Sequence, residues 1–316
     1  MTDELTDVHA LLTLPLLDLL QAADGIRREH TGGAVELCTI LNAKSGRCSE
    51  NCRFCAQSSR HATGIPAYPL KTRQEIVAAA HNAKEIGARR FGIVCSGNKP
   101  TDREFDVITE AAAEITRSVG ISICASLGAL PEAMLTQLHQ AGVTRYHHNI
   151  ETSRRFYPQV VDSHNFDERL STIRAAHAAG LEVCSGGIIG MGETWEDRID
   201  MALLLKELPV ASVPVNILVP IKGTPFERLT PLSCNDVVRT LCIFRIILKN
   251  RTIKIAAGRE SAFNDFQALG FMAGANGMLI GGYLTVKGRD IAADQKLVRE
   301  IETMWEREHD RVAALQ

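Results

Sequence analysis

An α/β protein built as a TIM-type (β/α)₈ barrel is the fold class this sequence predicts. Eight short runs rich in β-branched and apolar residues alternate with longer amphipathic stretches, the pattern of βα units and a parallel sheet. Most of those stretches end on Gly just before the next run, and 316 residues exceed the roughly 250 that a barrel needs. The runs fall at 35–42 (VELCTILN), 90–95 (RFGIVC), 121–126 (ISICAS), 144–150 (TRYHHNI), 182–189 (EVCSGGII), 212–219 (SVPVNILV), 252–257 (TIKIAA) and 277–282 (GMLIGG). The helical stretches at 72–87, 105–120, 131–142 and 166–180 each close on a Gly suited to the left-handed position at a helix C-terminus. Periodicity leaves an incomplete six-unit barrel open, and the count of eight favours the closed form. The chain divides into an N-terminal helical extension (1–34, amphipathic and broken by Pro15), the barrel (35–285) and a C-terminal helix (286–316), all within one domain.

Composition narrows the function classes. Lys+Arg 35 against Asp+Glu 37 leaves a net charge of -2, without the basic excess of a nucleic-acid binder. No apolar run approaches the length of a membrane span, and the acidic start MTDELTDVHA is unlike a signal peptide, so a cytoplasmic location is expected. Nine cysteines in a reducing compartment point to metal or catalytic use rather than to disulfides.

Their spacing is more informative than their number. Cys48, Cys52 and Cys55 form C-x₃-C-x₂-C directly after the first strand, at the rim where barrel enzymes place their chemistry. A random chain of this cysteine content would show the triplet roughly 0.007 times. Three thiolates on one loop can bind three irons of a cubane and leave the fourth open to a small molecule. A structural zinc site would want a second cysteine pair, and none follows.

With Phe54 before its last Cys, the triplet resembles that of the radical S-adenosylmethionine (SAM) superfamily. Further blocks narrow the resemblance to the biotin synthase family: CAQSSRHATG (55–64), YHHNIETS (146–153), FDERL (166–170), VCSGGIIGMGET (183–194), SVPVNILV (212–219), KGTP (222–225), AAGRE (256–260) and FMAGANGMLIGGYLT (271–285). The resemblance implies a 4Fe-4S cluster on the triplet, SAM on its open iron, and an auxiliary iron-sulfur cluster whose sulfur is inserted into dethiobiotin to make biotin. It also implies flavodoxin or ferredoxin as electron donor and a homodimer.

Residue by residue, the resemblance places Cys95, Cys124 and Cys184 on the auxiliary cluster, with Arg259 of AAGRE as a further ligand. Arg169 pairs the SAM carboxylate, Asn149 and Glu151 (where an Asp is common) the ribose hydroxyls, and Phe54 and Ile188 border the SAM site. Asn149 and Asn216 meet the ureido ring of dethiobiotin, as would His147 standing where many members have Asn. Two departures bear on the auxiliary cluster. Gly92 follows Arg90-Phe91 where the common family member has a cysteine, which here comes three residues later at 95, and Cys38 sits in the first strand. Four cysteines, Cys38, Cys95, Cys124 and Cys184, suit a four-iron cluster better than 2Fe-2S, with Arg259 displaced to a supporting role. His148, Cys234 and Cys242 read as packing residues. The competing functions are another radical SAM enzyme, of the hydrogenase-maturation or methylornithine-synthase type, and a non-catalytic iron-sulfur carrier, which has no use for Arg169, Glu151 and Asn216.

Overall fold

The computed structural model describes residues 8–313, with side chains as far as residue 306. Its barrel strands are β1 (Glu36–Lys44), β2 (Arg90–Cys95), β3 (Ser122–Ser126), β4 (Val143–His147), β5 (Glu182–Cys184), β6 (Gly187–Ile189), β7 (Ser212–Ile217), β8 (Thr252–Ile255) and β9 (Gly277–Leu279). They pair side by side in the order β5-β4-β3-β2-β1-β9-β8-β7-β6, and a β5–β7 pairing closes the ring. Every pairing is parallel. Both β5 and β6 lie on β7, through Cys184 opposite Ser212 and Gly187 opposite Val215, so they share one stave and the barrel has eight.

The helices follow the same unit plan: α1 (Leu16–Thr31), α2 (Arg73–Glu85), α3 (Asp102–Ser118), α4 (Glu132–Gln140), α5 (Phe166–Ala178), α6 (Trp195–Glu207) and α7 (Cys234–Leu248). Thr72, Thr101 and Thr194 open α2, α3 and α6 with capping boxes to Glu75, Glu104 and Asp197, satisfying amide donors that a helix start leaves unpaired. Gly87, Gly120, Gly142 and Gly180 follow α2 to α5 with positive φ. Helix α3 shows how the layers pack: Phe105, Ile108, Ala111, Ala112 and Ile115 recur on one face and are all buried. They belong to the same core as the outward residues of neighbouring strands, Phe91, Ile93, Ile123 and Ala125.

Period two assigns the opposite residues to the barrel interior, where Cys38 and Ile40, Gly92 and Val94, and Cys124 and Ser126 line one cavity. The structure departs from the sequence reading in three places. The run 144–150 ends as a strand at His147. The run 182–189 splits at Ser185-Gly186, because the Gly186 carbonyl accepts the N–H groups of Ile150 (3.0 Å) and Glu151 (3.1 Å) from the chain that follows β4. A Cβ on Gly186 would stand 2.0 Å from the Pro214 carbonyl oxygen, and one on Gly187 would stand 2.3 Å from that of Glu151. The expected C-terminal helix over 286–316 begins only at Ile291 as α10 (Ile291–Ala313), after two short helices, α8 (Arg259–Phe263) and α9 (Ala268–Met272), and an antiparallel hairpin of β10 (Gly282–Tyr283) and β11 (Val286–Lys287).

Before the barrel, residues 8–10 are helical and α1 starts directly after Pro15, so the break falls where the sequence places it. Arg239 on α7 donates to the carbonyls of Leu11, Leu12 and Leu14 at 2.9 to 3.3 Å and ties this extension to the barrel. Residues 1–7 and 314–316 of the two expected terminal segments lie outside the described residues.

Candidate active site

The cavity, about 370 Å³, is lined by residues of all eight staves and by Phe54 and Cys55 of the loop after β1. That loop turns sharply at Gly46 and Arg47, both at positive φ. The Cys48 N–H donates to the Gln57 carbonyl (3.0 Å), the Ser59 N–H to the Cys48 carbonyl (2.8 Å) and the Cys55 N–H to the Cys52 carbonyl (2.9 Å), which folds the three cysteines into one compact turn. All three are free thiols of intermediate burial. Burial pushes the Cys55 thiol up to about 11, with Cys48 and Glu151 adding like charge. A positive centre held between these sulfurs would relieve that cost, because metal ligation requires the thiolates. Among the described residues no three His, Cys, Asp or Glu side chains are grouped closely enough for a single metal ion. A cubane asks for something else, one thiolate per iron, and three thiols on a tight loop fit it.

Beside the loop, Arg169 on α5 donates from Nη1 to the Asn149 carbonyl (2.9 Å) and from Nε to Tyr157 Oη (2.7 Å), and lies 3.7 Å from Glu151 Oε1. Glu151 takes φ 68, a strained conformation for a residue other than glycine. Its N–H bonds the Gly186 carbonyl and its own carbonyl accepts from Ile188, at 2.8 Å. Asn149 donates to Glu151 Oε2 (3.3 Å) and accepts from the Gly186 N–H (3.1 Å). Phe54 and Ile188 pack on the buried group of Phe156, Val160, Met191, Leu218 and Phe226. The result is a pocket edge with the Glu151 carboxylate and the Asn149 amide on one side, the Arg169 guanidinium directly behind them, and an apolar wall on the other. Such an edge suits a zwitterionic head joined to a nucleoside.

Deeper in the barrel, Cys38, Cys124 and Cys184 line the same cavity, with His147 Nδ1 3.3 Å from Cys184 Sγ. Below them five strands contribute an ionic layer, buried at Arg145 and Lys254 and open to solvent at Glu182. Glu36 Oε1 accepts from Lys254 (2.6 Å) and Arg145 (2.8 Å), Glu36 Oε2 lies 3.2 Å from Arg90, and Glu182 Oε2 pairs Arg90 (2.9 Å) and Arg145 (3.0 Å). Three cations face two carboxylates, so the layer presents excess positive charge to the thiols. Burial raises the Cys124 thiol to about 12, whereas at Cys184 the raising effect of burial is outweighed by His147, Lys254 and Arg145, bringing it down to about 6. Asn216 also faces the cavity, its amide bridging the Gly187 carbonyl (3.1 Å) and the Ala257 N–H (3.2 Å).

Comparison with known proteins fits this arrangement. The radical SAM superfamily model matches residues 43–205, and that of the Biotin and Thiamin Synthesis associated domain matches 214–303. The curated biotin synthase of Heliobacterium modesticaldum is 47% identical over 90% of this chain and 87% of its own length. That of Thermotoga neapolitana is 49% identical over 85% and 97%. The chain belongs to the biotin synthase family of radical SAM enzymes. Among solved structures, methylornithine synthase superposes with TM-score 0.81 at 23% identity, covering 95% of this chain and 92% of that one, a likeness that shows the fold.

Two residues that the family resemblance placed on the auxiliary cluster are not in the cavity. Cys95 ends β2 opposite Lys44, an odd number of residues from the inward Gly92 and Val94, and its electrostatic neighbours are Lys44 and Glu104. Arg259 is 1% exposed but is consumed elsewhere, donating to Tyr283 Oη (2.8 Å), Gln267 Oε1 (2.8 Å) and the Asp294 carboxylate. The position opposite Cys124 belongs to Gly92, and a Cβ there would come 2.9 Å from Ile40 Cγ2, so Ile40 occupies the space of the missing side chain. Sequence reasoning overlooked Lys254, whose Nζ lies 2.9 Å from Cys38 Sγ. It stands in the TIKIAA strand two residues before the cavity-lining Ala256, and period two could have pointed to it. Glu36, Tyr157 and His164 were overlooked as well, the last two lacking any local signal. His148 is buried beside Tyr146, Cys242 lies in the core and Cys234 packs against it.

Proposed function

We propose that this chain carries out its family's reaction, insertion of sulfur into dethiobiotin to give biotin at the expense of SAM. The observation that carries the reading is one shared cavity, with Cys55 of the cysteine loop and the Asn149 and Glu151 edge, backed by Arg169, on its lining and the thiols of Cys38, Cys124 and Cys184 deeper in the barrel. The bound cofactors supply the radical chemistry and the sulfur. Cys48, Cys52 and Cys55 would hold the 4Fe-4S cluster that binds SAM, Arg169 the SAM carboxylate, Asn149 and Glu151 its ribose, and Phe54 and Ile188 its apolar flank. Asn149, Asn216 and His147 face the space left for dethiobiotin. Because both ends of the Asn216 amide already bond backbone, it offers the ureido ring one remaining N–H and one lone pair in a fixed orientation.

The auxiliary cluster is assigned to Cys38, Cys124 and Cys184, without Cys95 and Arg259. A four-iron cluster is favoured over 2Fe-2S: three thiols are what the loop of Cys48, Cys52 and Cys55 supplies to its own cubane, and Lys254 flanks the set. Flavodoxin or ferredoxin is the proposed electron donor, in a cytoplasmic homodimer; no helix of the described residues is long and apolar enough to cross a membrane. The test is anaerobic reconstitution with iron, sulfide and dithionite. Formation of 5′-deoxyadenosine that dethiobiotin stimulates, with biotin as product, is expected. Its absence from Cys52→Ala is expected too, and cleavage by that variant would overturn the assignment of the triplet.

A further inference from the structure

The segment between Tyr157 and α5 grips the cysteine loop along its length. The Arg53 N–H donates to the Val160 carbonyl at 2.9 Å. Asn51 Oδ1 accepts from the N–H groups of Asp162 (3.2 Å) and Ser163 (3.1 Å), the Asn51 N–H donates to Ser163 Oγ (3.2 Å), and the Asn51 amide donates to the Asp162 carboxylate. His164 is the next residue, its side chain 7% exposed. Its Nδ1 lies 2.6 Å from Tyr157 Oη, and its Nε2 lies 3.8 Å from Cys52 Sγ, 3.8 Å from Glu50 Oε2 and 3.3 Å from Arg169 Nη2.

The direction of the chain of hydrogen bonds follows from what each group can do. Arg169 Nε only donates, so Tyr157 Oη accepts from it at 2.7 Å. The other partner of the Tyr157 hydroxyl is His164 Nδ1, so the phenolic proton goes there and the ring proton to Nε2. That nitrogen faces two acceptors, the Cys52 sulfur and the Glu50 carboxylate, against one donor, Arg169 Nη2 at 3.3 Å, whose N–H is then not given to the ring. The ring therefore presents an N–H to a sulfur that is a thiolate whenever it ligates iron.

We infer that His164 is a positioning residue of the radical centre, joining the guanidinium that receives SAM to the cysteine that holds the cluster through the chain Arg169, Tyr157, His164, Cys52. This rests on the function proposed above. Hydrogen bonds to ligand sulfur stabilise the reduced, more negative cluster and raise its potential. The same chain fixes the Arg169 fork, so loosening His164 should also weaken SAM binding.

The experiment compares reconstituted wild-type enzyme with His164→Leu, His164→Gln and Tyr157→Phe, each with its iron content determined. The reduction potential of the SAM-binding cluster is read by electron paramagnetic resonance titration, and KM for SAM is measured beside kcat. His164→Leu is expected to shift the potential to more negative values and to raise KM for SAM by roughly tenfold, the scale of one hydrogen bond to a charged group. Tyr157→Phe should move both in the same direction by releasing the tautomer, and His164→Gln, whose amide can donate, should recover part of the potential. Unchanged potential and KM in both His164→Leu and Tyr157→Phe would overturn the inference. If His164→Leu loses iron, Tyr157→Phe, which removes one oxygen, decides the matter. A wild-type enzyme that binds a cluster yet never cleaves SAM would instead refute the proposed function.

Discussion

The Lys254 ammonium stands 2.9 Å from Cys38 Sγ, joining β8 to β1 across the intervening β9 at a sequence separation of 216 residues. Glu36, two residues before Cys38 on the same face, also pairs that ammonium at 2.6 Å, and the same carboxylate oxygen lies 3.7 Å from Cys38 Sγ. The two contacts aim a buried cation at a buried thiol, and burial alone would oppose both the charge on the lysine and ionisation of the cysteine. Lys254, not Arg259, is thus the cation set against the thiols that the barrel gathers.

The thiol set can be counted by iron. In a variant lacking Cys48, Cys52 and Cys55, Mössbauer spectroscopy with iron and sulfide analysis is expected to find about four irons at the second site. Cys38→Ser on that background should lose them, and Cys95→Ser should keep them. About two irons would refute the four-iron assignment, and loss on Cys95→Ser would refute the placement of Cys95 outside the cavity.

Arg169→Ala should weaken SAM binding by roughly 1.5 to 3 kcal/mol, the scale of a hydrogen bond to a charged group, with a smaller effect on dethiobiotin. Arg169→Lys should recover only part, since a point charge cannot reproduce the fork that spans Asn149 and Tyr157. Equilibrium binding of each ligand is the measurement. Equal losses for both would indicate a folding defect instead.

Glu36→Gln should destabilise the fold by about 3 kcal/mol at neutral pH, because Arg90 and Arg145 would then share only Glu182 and the buried Lys254 would lose the carboxylate it pairs with. Burial raises the Glu36 carboxyl, but Lys254 and Arg145 more than offset it and hold the group well below the usual carboxylate range. A depressed folded value means the stabilisation is complete above the unfolded value of about 4.3 and fades as pH falls below it. Urea unfolding of cluster-free protein should thus show a constant gap between wild type and variant from pH 7 to 5 that narrows below about pH 4. A gap that widens in acid would contradict the pairing.

Gly187→Ala should cost about 1 to 3 kcal/mol, the range for overpacking a tight site. The new methyl meets the Glu151 carbonyl at 2.3 Å and Met201 Sδ at 2.5 Å, so relief displaces Glu151. A rise in KM for SAM larger than that for dethiobiotin is expected from steady-state kinetics. An unperturbed KM for SAM would show that Glu151 does not need this packing.

The sequence by itself determined the barrel, because strand and helix periods and glycine stops are local properties that eight units repeat. It determined the Cys48, Cys52 and Cys55 loop as well, since its ligands lie within eight residues of chain. Only the tertiary structure decided which residues stand around the thiols at the base of the cavity. Cys38, Cys124, Cys184, Glu36 and Lys254 come from several different strands, and whether each points inward depends on strand parity and stagger, which a one-residue difference reverses. Cys95 and Arg259 carry suitable chemistry, yet parity turns the first away and Asp294, Gln267 and Tyr283 consume the second. Likewise, the chain of hydrogen bonds from Arg169 to Cys52 exists because closure of the barrel brings the loop after β1 against the segment before α5, over a hundred residues away in sequence.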